Sequence, residues 1–214
     1  AHDLALMGVQ PVIFEKQLEA GGFLRTGILN YRLPKEILDE DIDYIRGMGV
    51  EIRTGAVIGE EGVKFDDLVE EYDSVLIAVG LSESRSLPIP GVDLPQVLLA
   101  VPFLEAVNAG REVPELGKEI IVIGGGNAAI DVARSAKRIS GAKVTMVCLE
   151  ADHAMPAHDW ELADARAEGI ELVCSQGPDA IAAEGKVAVL QVKKCGSVFD
   201  GRGRSVPAFC DTGS

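Results

Sequence analysis

Between residues 119 and 150 the chain reads "EIIVIGGGNAAIDVARSAKRISGAKVTMVCLE". An apolar run meets three consecutive glycines, then a helical pattern, a second apolar run and a terminal acid. Few folds accept this order. A short continuous apolar run marks a strand buried on both faces of a parallel sheet, and parallel strands are joined by a helix packing back across them. Gly124, Gly126 and Ala129 stand in the G-x-G-x-x-A pattern. Gly124 permits the tight turn out of the strand, and Gly126 lets a diphosphate approach bare backbone. Ala129 lets the helix lie close to the strand. Gly125, Asn127 and Ala128 complete the turn, whose first helical N–H groups and dipole favour phosphate charge. A tight turn without ligand is the plain alternative.

Glu150 ends the next strand about 20 residues after the turn, where an acid hydrogen-bonds the adenosine ribose of an unphosphorylated coenzyme. A 2′-phosphate would meet a like charge there, and residues 148–158 contain neither Lys nor Arg. NAD(H) is therefore expected, with NADP(H) the disfavoured alternative. A solvated strand end is the plain reading of Glu150. Asp131 suits either the nicotinamide region or a polar position early in the helix. Arg134, Arg138 and Lys143 are expected on solvated faces.

The rest of the chain repeats this architecture without its glycine turn. Pro11 to Glu15 reads as a strand buried on both faces, and 20–34 as a glycine-rich loop. A helix from Pro34 carries Leu38, Ile42, Ile45 and Met48 on one face. Val50–Arg53 alternates as a strand, 65–72 is a short helix, and "SVLIAVG" (74–80) reads as another buried strand. The proline-rich 86–95 is a connector, so the boundary is placed after it: 1–98 and 99–214. In the second part a helix at 159–168 and the strand "GIELVC" follow the glycine unit, and 187–200 alternates as part of a hairpin turning at "DGRG". The fold class is α/β, with two Rossmann-like nucleotide-binding units in series.

Composition removes several functions. The net charge of −14 opposes binding to nucleic acid or an anionic membrane. No apolar run approaches the roughly 18–20 residues that span a bilayer, and no secretory leader is expected from residues 1–8. Cys148, Cys174, Cys195 and Cys210 contain no C-x-x-C pair, and His2, His153 and His158 have no metal spacing. Ordinary thiols in a reducing cytoplasm are expected, with no metal site.

Taken in order, "VIFEK", "GG…YRLP", "VLIAVG", "IPGV", "VIGGGNAAIDVAR", "VTMVCLE…MPA" and "AEGIEL" resemble the small (β) subunit of glutamate synthase. They also resemble its relatives, the flavin–NADPH part of dihydropyrimidine dehydrogenase and the flavin subunits of ferredoxin-linked NAD(P)H oxidoreductases. The resemblance implies an FAD domain split in sequence, with an NAD(P) domain inserted. It places Glu15 at the FAD ribose, Gly22, Phe23 and Leu24 along the flavin nucleotide, and Arg32 against FAD. It places Val57 and Ile58 near the adenine side and Gly80 where the chain passes the flavin. Where NADPH-using relatives carry two basic residues, this chain has Leu149 and Glu150. The resemblance also implies that the FAD glycine turn stands before Ala1 and a closing FAD segment after Ser214, so the chain is expected to be a fragment.

The implied reaction of the whole protein passes hydride from NAD(P)H to FAD, then electrons to an iron–sulfur or amidotransferase/synthase partner subunit. Cofactors carry that chemistry, so no side chain is named catalytic. The alternatives are the NADPH-dependent glutamate synthase small subunit itself, a disulfide reductase of the same architecture, and a non-enzymatic NADH sensor.

Overall fold

Parallel and antiparallel strands segregate into three small sheets. The computed structural model describes residues 1–81, 83–185 and 187–210. The chain packs as two units divided after Glu83, ahead of the boundary read at residue 98. Residues 86–95 belong with the second unit because Ile181 N–H donates to the Pro90 carbonyl at 2.8 Å. Gly91 also lies too close to Ile181 for any side chain.

In the second unit, α5 (Ala100–Asn108) precedes β3 (Glu119–Ile123), α6 (Asn127–Ser140), β4 (Lys143–Val147), α7 (Asp159–Ala167) and β5 (Glu171–Val173). The three strands are parallel, ordered β3-β4-β5, with Ile123 opposite Val147 and Val147 opposite Val173. Val144 and Met146 of β4, and Cys148 just beyond it, alternate onto one face, as period-2 geometry requires. There they form one core with Ile130 and Ala133 of α6 and Leu162 and Ala165 of α7. Small residues at 133 and 136 let α6 approach closely, and Gly141 ends it in the left-handed region at φ +68°.

Arg134 departs from the sequence expectation. Its side chain is 8% exposed and bridges α6 to α7, reaching Asp164 at 3.1 Å and Glu168 at 2.8 Å. Arg138 joins Glu168 at 2.6 Å but remains partly solvated, as does Lys143. A buried guanidinium needs carboxylates, and α7 supplies them across the helix pair, a pairing local sequence cannot reveal.

An antiparallel arm follows: β6 (Gln176–Glu184), β7 (Val187–Phe199) and β8 (Ser205–Phe209). The hairpin turn falls at 200–203, where the Asp200 carboxylate accepts the amides of Arg202 and Arg204 at 2.8 and 2.9 Å. The expected hairpin is thus a three-stranded meander. Its first strand, "QGPDAIAAE", lacks the alternation that would announce it, and Pro178 sits beside a bulge.

The first unit holds α1 (His2–Leu6), β1 (Val12–Glu15), α2 (Gly22–Thr26), α3 (Lys35–Gly47), β2 (Glu51–Thr54) and α4 (Phe65–Glu71). β1 and β2 are parallel, and Leu38 and Ile42 of α3 pack with Ala20, Leu33 and Ile52. Three expectations change. The glycine-rich 20–34 contains the one-turn α2. β1 is half-buried, having β2 alone beside it among the described residues. The buried strand expected at 74–80 is instead an exposed stretch outside the sheet, with Leu76 80%, Ile77 68% and Val79 85% exposed. A doubly buried strand needs ladder partners, and 74–80 pairs with neither β1 nor β2. Among the described residues no helix is long and apolar enough to cross a membrane.

Burial alone would raise the Glu168 carboxyl, but hydrogen bonds from Arg138 and Arg134 outweigh it and hold the group below its ordinary 4.5. A depressed folded value means stability that is present above the unfolded value and lost as pH falls through the folded one. Glu168→Gln is therefore expected to unfold at lower urea than the parent at pH 7. The gap should narrow as pH falls below about 4.5, as measured by circular dichroism melts.

Candidate dinucleotide-binding site

The three glycines of the turn differ in what surrounds them. Gly124 adopts φ +137°, and an added Cβ would lie 3.1 Å from that of Ala129. Backbone strain and helix packing both exclude a side chain there. At Gly125 an added Cβ would lie 3.0 Å from Glu150 Oε2 and 3.1 Å from Cys148 Cβ, so the loop is pressed against the end of β4. Gly126 has neither constraint. Its φ of −93° and ψ of 174° suit any residue, and an added Cβ would meet only Pro156 Cγ at 3.9 Å. Nothing in the protein's own packing requires glycine at 126.

The amides that follow are suited to an anion. Intrahelical bonding begins with Ala129 and Ile130, whose N–H groups donate to the Gly126 carbonyl at 3.0 and 3.1 Å. The preceding amides, through Asn127 and Ala128, are the ones a helix start leaves open. A second loop is tied across the turn. Ala157 N–H donates to the Gly125 carbonyl at 3.2 Å, and His158 N–H to Asn127 Oδ1 at 3.2 Å. The "MPAH" segment therefore fixes Asn127 and walls the glycine turn. Sequence reading singled out "MPA" only as a family mark; the contacts give it a structural role. Asp131 is 6% exposed, buried one turn into α6.

β4 stops at Val147, and Glu150 follows it in a bend rather than ending the strand; its carboxylate lies against Gly125 and its carbonyl accepts Ser175 N–H at 2.8 Å. Beneath it, Cys148 is buried and its thiol is pushed up to about 12, first by burial and then by the neighbouring Cys174 thiol. Burial also raises Cys174, whose sulfur lies 3.9 Å from that of Met155.

In the first unit, Glu15 closes β1, and its carboxylate accepts Gln17 N–H at 2.8 Å. Its carbonyl accepts Ala56 N–H at 2.9 Å, so Val57 and Ile58 follow beside the same end of the sheet. Gly22, Phe23 and Leu24 form the start of α2, and the Phe23 ring occupies the space over Gly27, where a Cβ would lie 2.3 Å from it. That makes Gly27 a shaping residue that the sequence reading passed over. Arg32 lies over the Tyr31 ring at 5.7 Å. Gly80, at φ +71°, stands in the exposed 74–80 stretch. Among the described residues no hydrogen bond joins Gly80 or Gly22–Leu24 to Glu15. The residues of the glycine turn and Glu150 are thus brought together, while of the residues that the resemblance links to FAD only Glu15 is tied, through Ala56, to the segment leading into Val57 and Ile58.

Residues 2–208 match the family described as pyridine nucleotide-disulphide oxidoreductase. The chain is 38% identical over 213 residues to the β subunit of an NADP(+)-dependent formate dehydrogenase from Moorella thermoacetica, covering 97% of this chain and 30% of that one. It is 34% identical over 201 residues to a glutamate synthase (NADPH) small chain from Halomonas elongata, covering 90% and 42%. It therefore spans less than half the length of either curated relative. Among solved structures, FprA from Mycobacterium tuberculosis in complex with NADPH superimposes with a TM-score of 0.81 at 22% identity. That match covers 95% of this chain and 61% of FprA, and it shows the shared fold. The expected kinship with glutamate synthase small subunits and the Rossmann-like α/β class are borne out.

The raised, buried thiol of Cys148 predicts selective chemistry. Thiolate is the reactive form, so maleimide at pH 7 should label exposed Cys210 rapidly and Cys148 only after denaturation. Peptide mapping by mass spectrometry reads the order, and early labelling of Cys148 would show that β4 opens at its end.

Proposed function

Starting from the membership of this chain in the pyridine nucleotide-disulphide oxidoreductase family, we propose that it is the NADH-docking part of a flavin-dependent oxidoreductase of the glutamate synthase small-subunit kind. The observation that carries this reading is Gly126, a glycine that neither its backbone angles nor its neighbours demand. A diphosphate resting on the open amides of the turn supplies the missing reason. Gly124 and Gly125 set the depth of the turn, Asn127 is held by His158, and Glu150 receives the ribose hydroxyls. When bound, NADH supplies the hydride and FAD accepts it and passes electrons on. This chain's residues bind, orient and exclude water.

Glu150 favours NADH, and the absence of Lys or Arg in 148–158 leaves no counter-charge for a 2′-phosphate. The two relatives are named for NADP(+) and NADPH, which supports the rival NADPH reading. In the whole protein Glu15, Gly22, Phe23, Leu24, Arg32, Ile58 and Gly80 line the FAD, with 74–80 completing the sheet. The first unit serves FAD and the second, from Ser84 onward, the pyridine nucleotide. The onward electron carrier is an iron–sulfur partner subunit, and the free thiols suit a reducing cytoplasm.

Two experiments test this. Gly126→Ala is expected to melt within about 1 kcal/mol of the parent, because its methyl meets only ordinary contact, yet to lose NADH binding. Gly125→Ala, forced against Cys148 and Glu150, is expected to lose stability instead. The chain's one tryptophan, Trp160, lies near the "MPAH" loop and its emission reports NADH. If Gly126→Ala binds NADH as the parent does, the diphosphate is not on this turn. In the second experiment, Glu150→Gln should weaken NADH by about 1.5–3 kcal/mol, roughly ten- to hundred-fold, the scale of a hydrogen bond to a charged group. Tighter NADPH than NADH binding in the parent would overturn the coenzyme choice.

A further inference from the structure

A cavity of about 240 Å³ opens beside Glu150, and the antiparallel arm forms its far side. One wall is the end of β4 and its continuation, Leu149–Ala151, and the other is the last stretch of β7, Gly196–Phe199. Between them stands Ser175, the one non-glycine residue with positive φ (+57°) among the described residues. Its N–H donates to the Glu150 carbonyl at 2.8 Å, and its carbonyl accepts Cys195 N–H at 2.9 Å. Ser175 therefore links the acid to the arm through two backbone bonds. Left-handed backbone at a serine is costly and persists where surroundings over-determine it. Here it turns the chain from β5 into β6 and aims β7 at the cavity.

Packing fixes the same relation a second time. At Gly177 an added Cβ would lie 2.3 Å from the Phe209 ring and 2.7 Å from Leu149 Cδ2. The absence of a side chain there seats β8 against the residue next to Glu150. The arm is thus held to the coenzyme acid by a pivot and by a glycine contact. Phe199 meanwhile remains 58% exposed at the end of β7, on the cavity. A cavity of this size falls below the ~300–1,000 Å³ of a complete small-molecule pocket, and suits one portion of a dinucleotide.

We propose that the β6–β7–β8 arm is the outer wall of the adenosine half of the coenzyme site. Adenine lies between Leu149–Ala151 and Gly196–Phe199, with the Phe199 ring as its apolar face, while Glu150 holds the attached ribose. This rests on the dinucleotide reading and deepens it, because it makes the arm part of coenzyme recognition. An aromatic ring against a purine is a favourable and base-tolerant contact. The ring faces the adenine end, so its contribution belongs equally to any ligand carrying that end.

The test titrates the full chain, its Phe199→Ala variant and its Phe199→Tyr variant with NADH and with ADP-ribose, which keeps the adenosine and diphosphate but lacks nicotinamide. Isothermal calorimetry reads both ligands. Phe199→Ala is expected to weaken both by about ten-fold and by the same factor, and Phe199→Tyr to restore both. Parent-like binding of both ligands by Phe199→Ala overturns the proposal while leaving the dinucleotide reading intact. So does a loss confined to NADH, or a loss that tyrosine does not restore. A parent chain that binds neither ligand overturns the dinucleotide reading and this proposal together.

Discussion

The close seating of Gly125 on the end of β4 is the contact from which the second unit is organised. A methyl group at that position would press within 3.1 Å of Cys148 Cβ and 3.0 Å of the Glu150 carboxylate, closer than ordinary packing. Without a side chain, the turn sinks until its backbone meets the neighbouring strand, bringing the helix start and the acid into one small region. The same residue's carbonyl accepts the Ala157 amide, so the loop between β4 and α7 is tied down by the bond that follows from that depth. Close packing makes the arrangement stiff, since interiors of this density cannot absorb even a methylene without strain.

The layers around the turn support it from both ends. Toward the core, Ile130 and Ala133 bury completely against Val144 and Met146, so α6 cannot slide along the sheet. Toward its far end, Arg134 and Arg138 converge on Glu168. The buried guanidinium is balanced by two carboxylates of the α7 end, Asp164 and Glu168, as charge removed from water must be. Beyond β5 the chain turns through Ser175 into an arm that a purely parallel α/β unit would not need, and the arm returns to the acid that the turn positions.

Much of this was legible in the sequence because it depends on local geometry. The G-x-G-x-x-A turn, the helix after it, the strand that follows and the α3 face with Leu38 and Ile42 follow from backbone sterics and periodicity; the strand itself stops at Val147, short of the expected Glu150. Where reading failed, a distant partner decided the matter. "SVLIAVG" has the composition of a buried strand, yet composition cannot supply the neighbours a ladder needs, and the stretch stands exposed outside the sheet. Arg134 looked like a surface charge because its carboxylates lie a helix away. β6 escaped notice because its pattern is irregular and its pairing with β7 provides the order.

The sequence by itself determined that a parallel α/β unit carries a glycine turn, with a carboxylate a few residues after its second strand. Glycine's freedom from steric limits and the alternation of apolar residues are properties of each residue with its nearest neighbours. Only the tertiary structure decided that the glycine at 126 is free of any packing reason, that the "MPAH" loop walls the turn, and that the arm returns to Glu150 through Ser175. Those outcomes depend on distances between segments far apart along the chain, and such distances exist only once the backbone has closed on itself.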